Sequence, residues 1–258
     1  MTASTRASDS SGFDAAILKE VVHRPWPMPR RAWVMTQTWN DLLFAHWPVS
    51  AALLQRLVPR EFPIDIHEGK AWLGVVPFHM TNVSLRGVPA LPWISAFPEL
   101  NVRTYVTIAG KPGVYFFSLD AANPLAVRTA RLLLNLPYFT AVMNVTAHAG
   151  GVEYRSRRKS GADAELQVSY RPIGSVFNPE PGTLEYFLTE RYCLYNRFRS
   201  GATYRLDIHH PPWSLQPATA EFRRSTMGDA AGIVLPDTPP LLHFSRRQDM
   251  VGWGAEPT

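Results

Sequence analysis

The sequence predicts a β-rich α+β fold, a twisted antiparallel sheet of barrel-like form carrying two or three helices. Three observations predict it. Apolar and polar residues alternate with period two along several stretches, and glycine-centred turns separate consecutive alternating runs. In addition, 23 prolines punctuate 258 residues, too often for long helices.

The stretch Phe13–Val22 has the composition of a short helix with Ser11 as its cap, but the following Pro25, Pro27 and Pro29 forbid helix and sheet alike. Residues 1–30 are therefore expected to form a mobile leader, 31–250 a single domain and 251–258 a C-terminal tail. Ser50 is a good N-cap for a helix over 51–57 that Pro59 stops. Residues 70–80 alternate with apolar side chains on both faces, so this strand is expected to be buried on both, with Pro77 at an edge or bulge. Residues 101–108, the turn Ala109–Gly113 and residues 114–120 form the clearest hairpin. Asn123 followed by Pro124 opens a helix to about Asn135, which Leu136-Pro137 ends. Further pairs are expected at 152–158 with 165–171 and at 184–198 with 203–209, and a late strand at 240–245.

Composition excludes several classes of function. A lone cysteine, Cys193, rules out an intramolecular disulfide. Asp9 and Asp14 interrupt the N-terminus, and no apolar run is long enough to span a bilayer, so a cytoplasmic protein with no membrane partner is expected by elimination. The net charge of +5 is carried almost wholly by dispersed arginines, and the one basic cluster, Arg155, Arg157, Arg158 and Lys159, is short. With no nucleic-acid-binding motif beside it, no nucleic acid partner is expected. The eight histidines contain no H-x-x-x-H or H-E-x-x-H pairing, and P-loop, dinucleotide and G-x-S-x-G motifs are absent, so neither metal nor cofactor is expected.

One stretch carries chemistry. Glu99, Asn101, Arg103 and Tyr105 are i, i+2 neighbours and share one face of a strand whose other face is apolar. On an open sheet this row is a solvated surface with a Glu–Arg pair. Inside a barrel it places a carboxyl and a guanidinium where an acidic ligand can bind and a proton can move. Arg128 and Arg131 share a helix face, and Glu190-Arg191-Tyr192 lies on an expected strand.

Taken in order, Gln37–Pro48, Pro98–Tyr105, Gly113–Ala121, Leu136-Pro137-Tyr138 and His210–Trp213 resemble the YqjF-like family of uncharacterised bacterial proteins, domain of unknown function 2071. That family is similar to acetoacetate decarboxylase, whose fold is a cone-like antiparallel barrel around its active site. On this resemblance Glu99 matches the strand glutamate, Asn123-Pro124 the helix start and Arg131 the arginine that follows. The Schiff-base lysine and its neighbour correspond to Tyr138 and Phe139, and a phenol and a phenyl ring form no imine. The resemblance implies a pocket lined by Glu99, Asn101, Arg103, Arg131 and Tyr138, with Tyr115, Arg191 and His46 nearby. Glu99 would carry the proton, Arg103 or Arg131 would clamp a carboxylate, and Tyr138 would donate to a carbonyl. The expected partner is a small anionic or carbonyl-containing ligand. Two functions stay open, a non-covalent acid–base enzyme acting on a small oxo or carboxylic acid and a non-catalytic ligand-binding protein. Edge strands leave association into a homo-oligomer open as well.

Overall fold

The computed structural model describes residues 12–88 and 95–258. Among these residues eleven strands form one sheet: β1 (Met35–Val49), β2 (Ala71–Leu85), β3 (Phe97–Ile108), β4 (Lys111–Ala121), β5 (Tyr138–His148), β6 (Gly151–Arg158), β7 (Glu165–Pro172), β8 (Cys193–Arg197), β9 (Thr203–His209), β10 (Gln216–Ser225) and β11 (Leu241–Pro257). Among the described residues four α-helices accompany them: α1 (Ala51–Leu57), α2 (Pro124–Leu134), α3 (Leu184–Thr189) and α4 (Met227–Ala230). Pairing is antiparallel except where β5 and β8 lie parallel to β4. The neighbours β1, β2, β3, β4, β8, β9 and β11 lead back to β1, with β4 and β8 meeting at one residue pair, Val114 and Leu194. This arc wraps an inner face. Strands β5, β6, β7 and β10 fold over its outer face and bury the main core, where Leu43, Val75, Leu100 and Val102 meet Tyr154, Leu166, Val168 and Tyr170.

Local sequence explains the elements that were expected. Ser50 caps α1 by accepting from the Leu53 amide, and Asn123 caps α2 by accepting from Leu125 and Ala126, with Pro124 at the first helical position. Asn135 ends α2 in the left-handed conformation. The β3–β4 hairpin turns at Ala109 and Gly110, both at positive φ as its right-handed twist demands. Pro77 sits in a central strand rather than at an edge, opposite the stretch of β1 where the register jumps between Asn40 and Ala45.

Four expectations are corrected. Residues 12–30 are seated on the sheet: Asp14 caps a 3-10 turn at Ala15–Lys19, and Ile17 is buried against Val251 and Trp253. The proposed cap Ser11 lies outside the described residues. Residues 251–257 are no tail, because β11 continues through them, paired with β1 and β9. The stretch 184–189 is helix α3, capped by Thr183, rather than the start of a strand. Strands β1, β5 and β10 are additional to the expected set. Among the described residues no helix is long and apolar enough to cross a membrane.

Candidate functional site

The inner face is built from alternate residues of neighbouring strands. Register places Phe78 opposite Glu99, Val76 opposite Asn101 and Gly74 opposite Arg103, while His46 lies across from Gly74 on the other side. Two apolar clusters bound this face. One end holds Phe44, Val76, Phe78 and Trp213, closed by Val127 of α2; the other holds Trp72, Tyr105 and Phe116, closed by Leu188 of α3. Asn101, Arg103 and His46 occupy the register levels between Phe78 and Trp72.

The row from Glu99 to Tyr105 is not a solvated surface, since Glu99, Asn101 and Tyr105 are all at most 5% exposed. Glu99 accepts a 2.8 Å hydrogen bond from the Tyr138 hydroxyl. The pairing arises because β5 begins immediately after Pro137 and runs parallel to β4, with Tyr138 beside Leu119. Phe139, one residue on, points to the other face, where the Arg158 guanidinium lies 4.0 Å from its ring centroid. Arg158 makes a bidentate pair with Asp120. The Tyr154 hydroxyl donates to the Glu99 carbonyl and fixes the strand beneath the carboxyl.

Burial pushes the Glu99 carboxyl up to about 8, a rise that the Tyr138 hydrogen bond moderates and the nearby Asp120 reinforces. Burial and the adjacent carboxyl hold the Tyr138 phenol well above its ordinary range, so it remains a donor. Glu99 thus takes up or releases a proton near neutral pH, the property required of a general acid or base.

Towards the other end, His46 Nε2 lies 2.6 Å from the Tyr105 hydroxyl, and the Arg103 guanidinium carbon lies 5.8 Å from the Tyr105 ring centroid. Burial, with Arg103 and His243 close by, keeps the His46 pKa well below its ordinary value. Gly74 makes this packing possible: a Cβ there would lie 3.1 Å from the His46 ring and 3.3 Å from Arg103 Cγ. Behind Tyr105, Arg191 pairs with Asp65 at 2.7 Å and stacks on the Tyr105 and Phe187 rings. Several buried polar atoms on this face find no partner among the described residues: His46 Nδ1, Trp72 Nε1, Asn101 Oδ1, Arg103 Nε and Trp213 Nε1. Buried polar groups are ordinarily satisfied, so a run of orphans on one face suits a polar ligand. Among the described residues, no three His, Cys, Asp or Glu side chains converge as metal ligands.

The model of the DUF2071 family, described as an uncharacterised conserved protein, matches residues 36–249. The chain belongs to this family. Its relative YqjF of Bacillus subtilis is 49% identical over 226 residues, covering 88% of this chain and 93% of YqjF. Solved structures share the fold at low identity. The enduracididine biosynthesis enzyme MppR, complexed with pyruvate, matches with a TM-score of 0.61 at 12% identity, over 88% of this chain and 91% of MppR. An acetoacetate decarboxylase-like enzyme from Sphingomonas wittichii gives 0.60 at 12% identity, over 88% and 94% of the chains. Acetoacetate decarboxylase from Legionella pneumophila gives 0.58 at 13% identity, over 96% and 97%. The DUF2071 chain therefore has an acetoacetate decarboxylase-like fold.

Within this DUF2071 chain the residues singled out in the sequence separate into two groups. Glu99 and Tyr138 touch, and Asn101, Arg103 and His46 share their face, with Arg191 one layer behind Tyr105. Arg131 and Tyr115 stand apart. Arg131 is exposed on α2, its guanidinium 5.8 Å from the Phe139 ring on the far side of β5. Tyr115 packs with Phe62 and Phe117 on the outer side of β4. Sequence reasoning gave no role to His243 or Tyr105. Tyr105 was visible as the last member of the alternating row, whereas His243 reaches the face through the pairing of β11 with β1, which no local pattern signals.

Proposed function

We propose that this chain binds a small oxo or carboxylic acid on its inner face and moves a proton on it by non-covalent acid–base chemistry, with Glu99 as proton carrier. One observation carries the reading: a buried carboxyl, poised at about 8, that holds the hydroxyl of Tyr138. A protonated Glu99 can deliver its proton to the carbon of an enolate, and the carboxylate so formed can take one from the carbon beside a carbonyl. As Glu99 takes up the proton, the Tyr138 hydroxyl is released from its carboxylate and donates to the developing oxyanion, while Arg103 and Asn101 hold the acid group.

The lysines favour a mechanism without an imine. All four, Lys19, Lys70, Lys111 and Lys159, lie at the surface or half-buried, and none belongs to the inner face. A Schiff-base lysine needs a site that lowers its pKa by burial or by a neighbouring cation. Tyr138 stands beside Glu99, where the family resemblance puts the decarboxylase lysine. MppR, a neighbour in fold, was solved with pyruvate, which makes oxo acids the first ligands to test.

The test begins with thermal shifts of wild type and Arg103→Ala against oxo acids, hydroxy acids, aldehydes and aromatic carboxylates. A ligand at a hundred times its Kd adds about 2.7 kcal/mol. In a chain of this size that raises Tm by roughly 5–10 °C. The expected result is an oxo-acid shift lost in Arg103→Ala, with turnover abolished by Glu99→Gln while binding persists. Turnover that survives in Glu99→Gln overturns the reading. Binding without turnover in wild type leaves the protein a ligand binder on the same face.

A further inference from the structure

Tyr105 is fully buried, and its hydroxyl lies 2.6 Å from His46 Nε2. The phenol has one proton to give and a neutral imidazole has one N–H, so either group can donate across this contact. If His46 donated from Nε2, the Tyr105 proton and a bare His46 Nδ1 would both be buried without partners. With Tyr105 donating to Nε2, one group alone is left over, the Nδ1–H. Each unsatisfied buried group is costly, so the second arrangement wins.

We infer that His46 is a ligand-recognising hydrogen-bond donor: Tyr105 locks it in the neutral tautomer with the proton on Nδ1, aimed at an acceptor oxygen of the bound acid. The inference rests on the oxo- or carboxylic-acid reading for the nature of that oxygen. His46 is wholly buried, its Nδ1 has no partner among the described residues, and the orphaned Arg103 Nε shares its side of the sheet. Trp72 Nε1, orphaned in the same way, adds a further N–H on this face. Three unpartnered N–H donors, from His46, Arg103 and Trp72, against one acceptor, Asn101 Oδ1, favour a carboxylate over an amide, whose NH2 group the donors cannot accept from.

The tautomer is read directly from the imidazole 15N shifts of the unliganded protein at pH 7. The expected spectrum has His46 Nδ1 protonated and Nε2 bare, and the opposite assignment overturns the inference. The donor role is read from the affinities of pyruvate and pyruvamide in wild type, His46→Asn, His46→Gln and Tyr105→Phe. Asparagine places an N–H close to the position of Nδ1, and glutamine places one close to Nε2. Pyruvate is expected to bind wild type better than pyruvamide. Its affinity should fall about 10-fold in His46→Gln and Tyr105→Phe, as for loss of one hydrogen bond to a charged group, and about 3-fold or less in His46→Asn. Equal losses in the asparagine and glutamine variants, or no pyruvate binding to wild type, overturn the donor role. Both readouts are independent of Glu99, so retention of turnover in Glu99→Gln would sink the acid–base reading and leave this inference standing.

Discussion

Replacing Glu99 with glutamine should stabilise the protein at alkaline pH, an unusual outcome for a buried polar side chain. The Glu99 carboxyl is pushed up to about 8 in the folded chain from an ordinary value of 4.5. Between those values the folded state keeps a proton that the unfolded state has lost, so wild-type stability falls as pH rises. This group's contribution is complete below about 4.5 and lost once pH passes about 8. At about 1.4 kcal/mol per pH unit, the penalty accumulated between pH 5 and pH 9 is about 4 kcal/mol. Glutamine still accepts from Tyr138 but never ionises. It adds a buried NH2 that costs about 1–3 kcal/mol if unpartnered, at every pH. Urea unfolding of wild type and Glu99→Gln at pH 5 and pH 9 isolates the ionisation, because all other titrating groups cancel in the difference. The stability of the variant relative to wild type should improve by about 4 kcal/mol from pH 5 to pH 9. A relative stability that stays within about 1 kcal/mol across that range would refute the claim that burial holds this carboxyl protonated.

Three further outcomes follow from the packing. Arg158→Met strands Asp120, which is 0% exposed, without its guanidinium, and urea unfolding at pH 7 should show a loss of about 3–5 kcal/mol; a loss below about 1 kcal/mol would mean the pair carries no weight. Gly74→Ala puts a methyl 3.1 Å from the His46 ring, so calorimetry should show about 1–3 kcal/mol of destabilisation together with weakened oxo-acid binding; an unchanged Tm and affinity would show that His46 and Arg103 can move aside. His209 and His210 are pushed by burial down to about 4, so they resist protonation in the folded state and their stabilisation, complete above about 6.5, is lost as pH falls towards 4. Because His209 bonds the Ile17 carbonyl and His23 bonds the His210 carbonyl, amides of residues 12–30 should lose hydrogen-exchange protection first in that window. Uniform loss of protection across the chain would disconnect these histidines from that segment.

Elements set by local chemistry were legible in the sequence. The β3–β4 hairpin announces itself by strict alternation around Ala109-Gly110, and α1 and α2 by Ser50 and Asn123-Pro124. Elements set by distant pairing were hidden. In β1, Asp41 at positive φ breaks the period, and six consecutive buried residues follow because both faces are covered. The run Leu184–Thr189 is too short and apolar to separate strand from helix by period, and Thr183 was its overlooked helical cap. The site divided in the same way. Glu99, Asn101, Arg103 and Tyr105 share a face by arithmetic. The meeting of Glu99 with Tyr138, 39 residues away, depends on the parallel pairing of β5 with β4. Arg131 rested on family resemblance alone, and the turn of α2 carries it to solvent.

The most direct test of the central claim is deuterium incorporation into the methyl group of pyruvate in D2O, followed by proton NMR with wild type and Glu99→Gln side by side. A base poised near neutral pH beside a bound oxo acid should exchange those hydrogens well above the buffer rate in wild type, and the glutamine variant should fall back to the buffer rate. Exchange at equal rates in both proteins would contradict the assignment of Glu99 as the proton carrier.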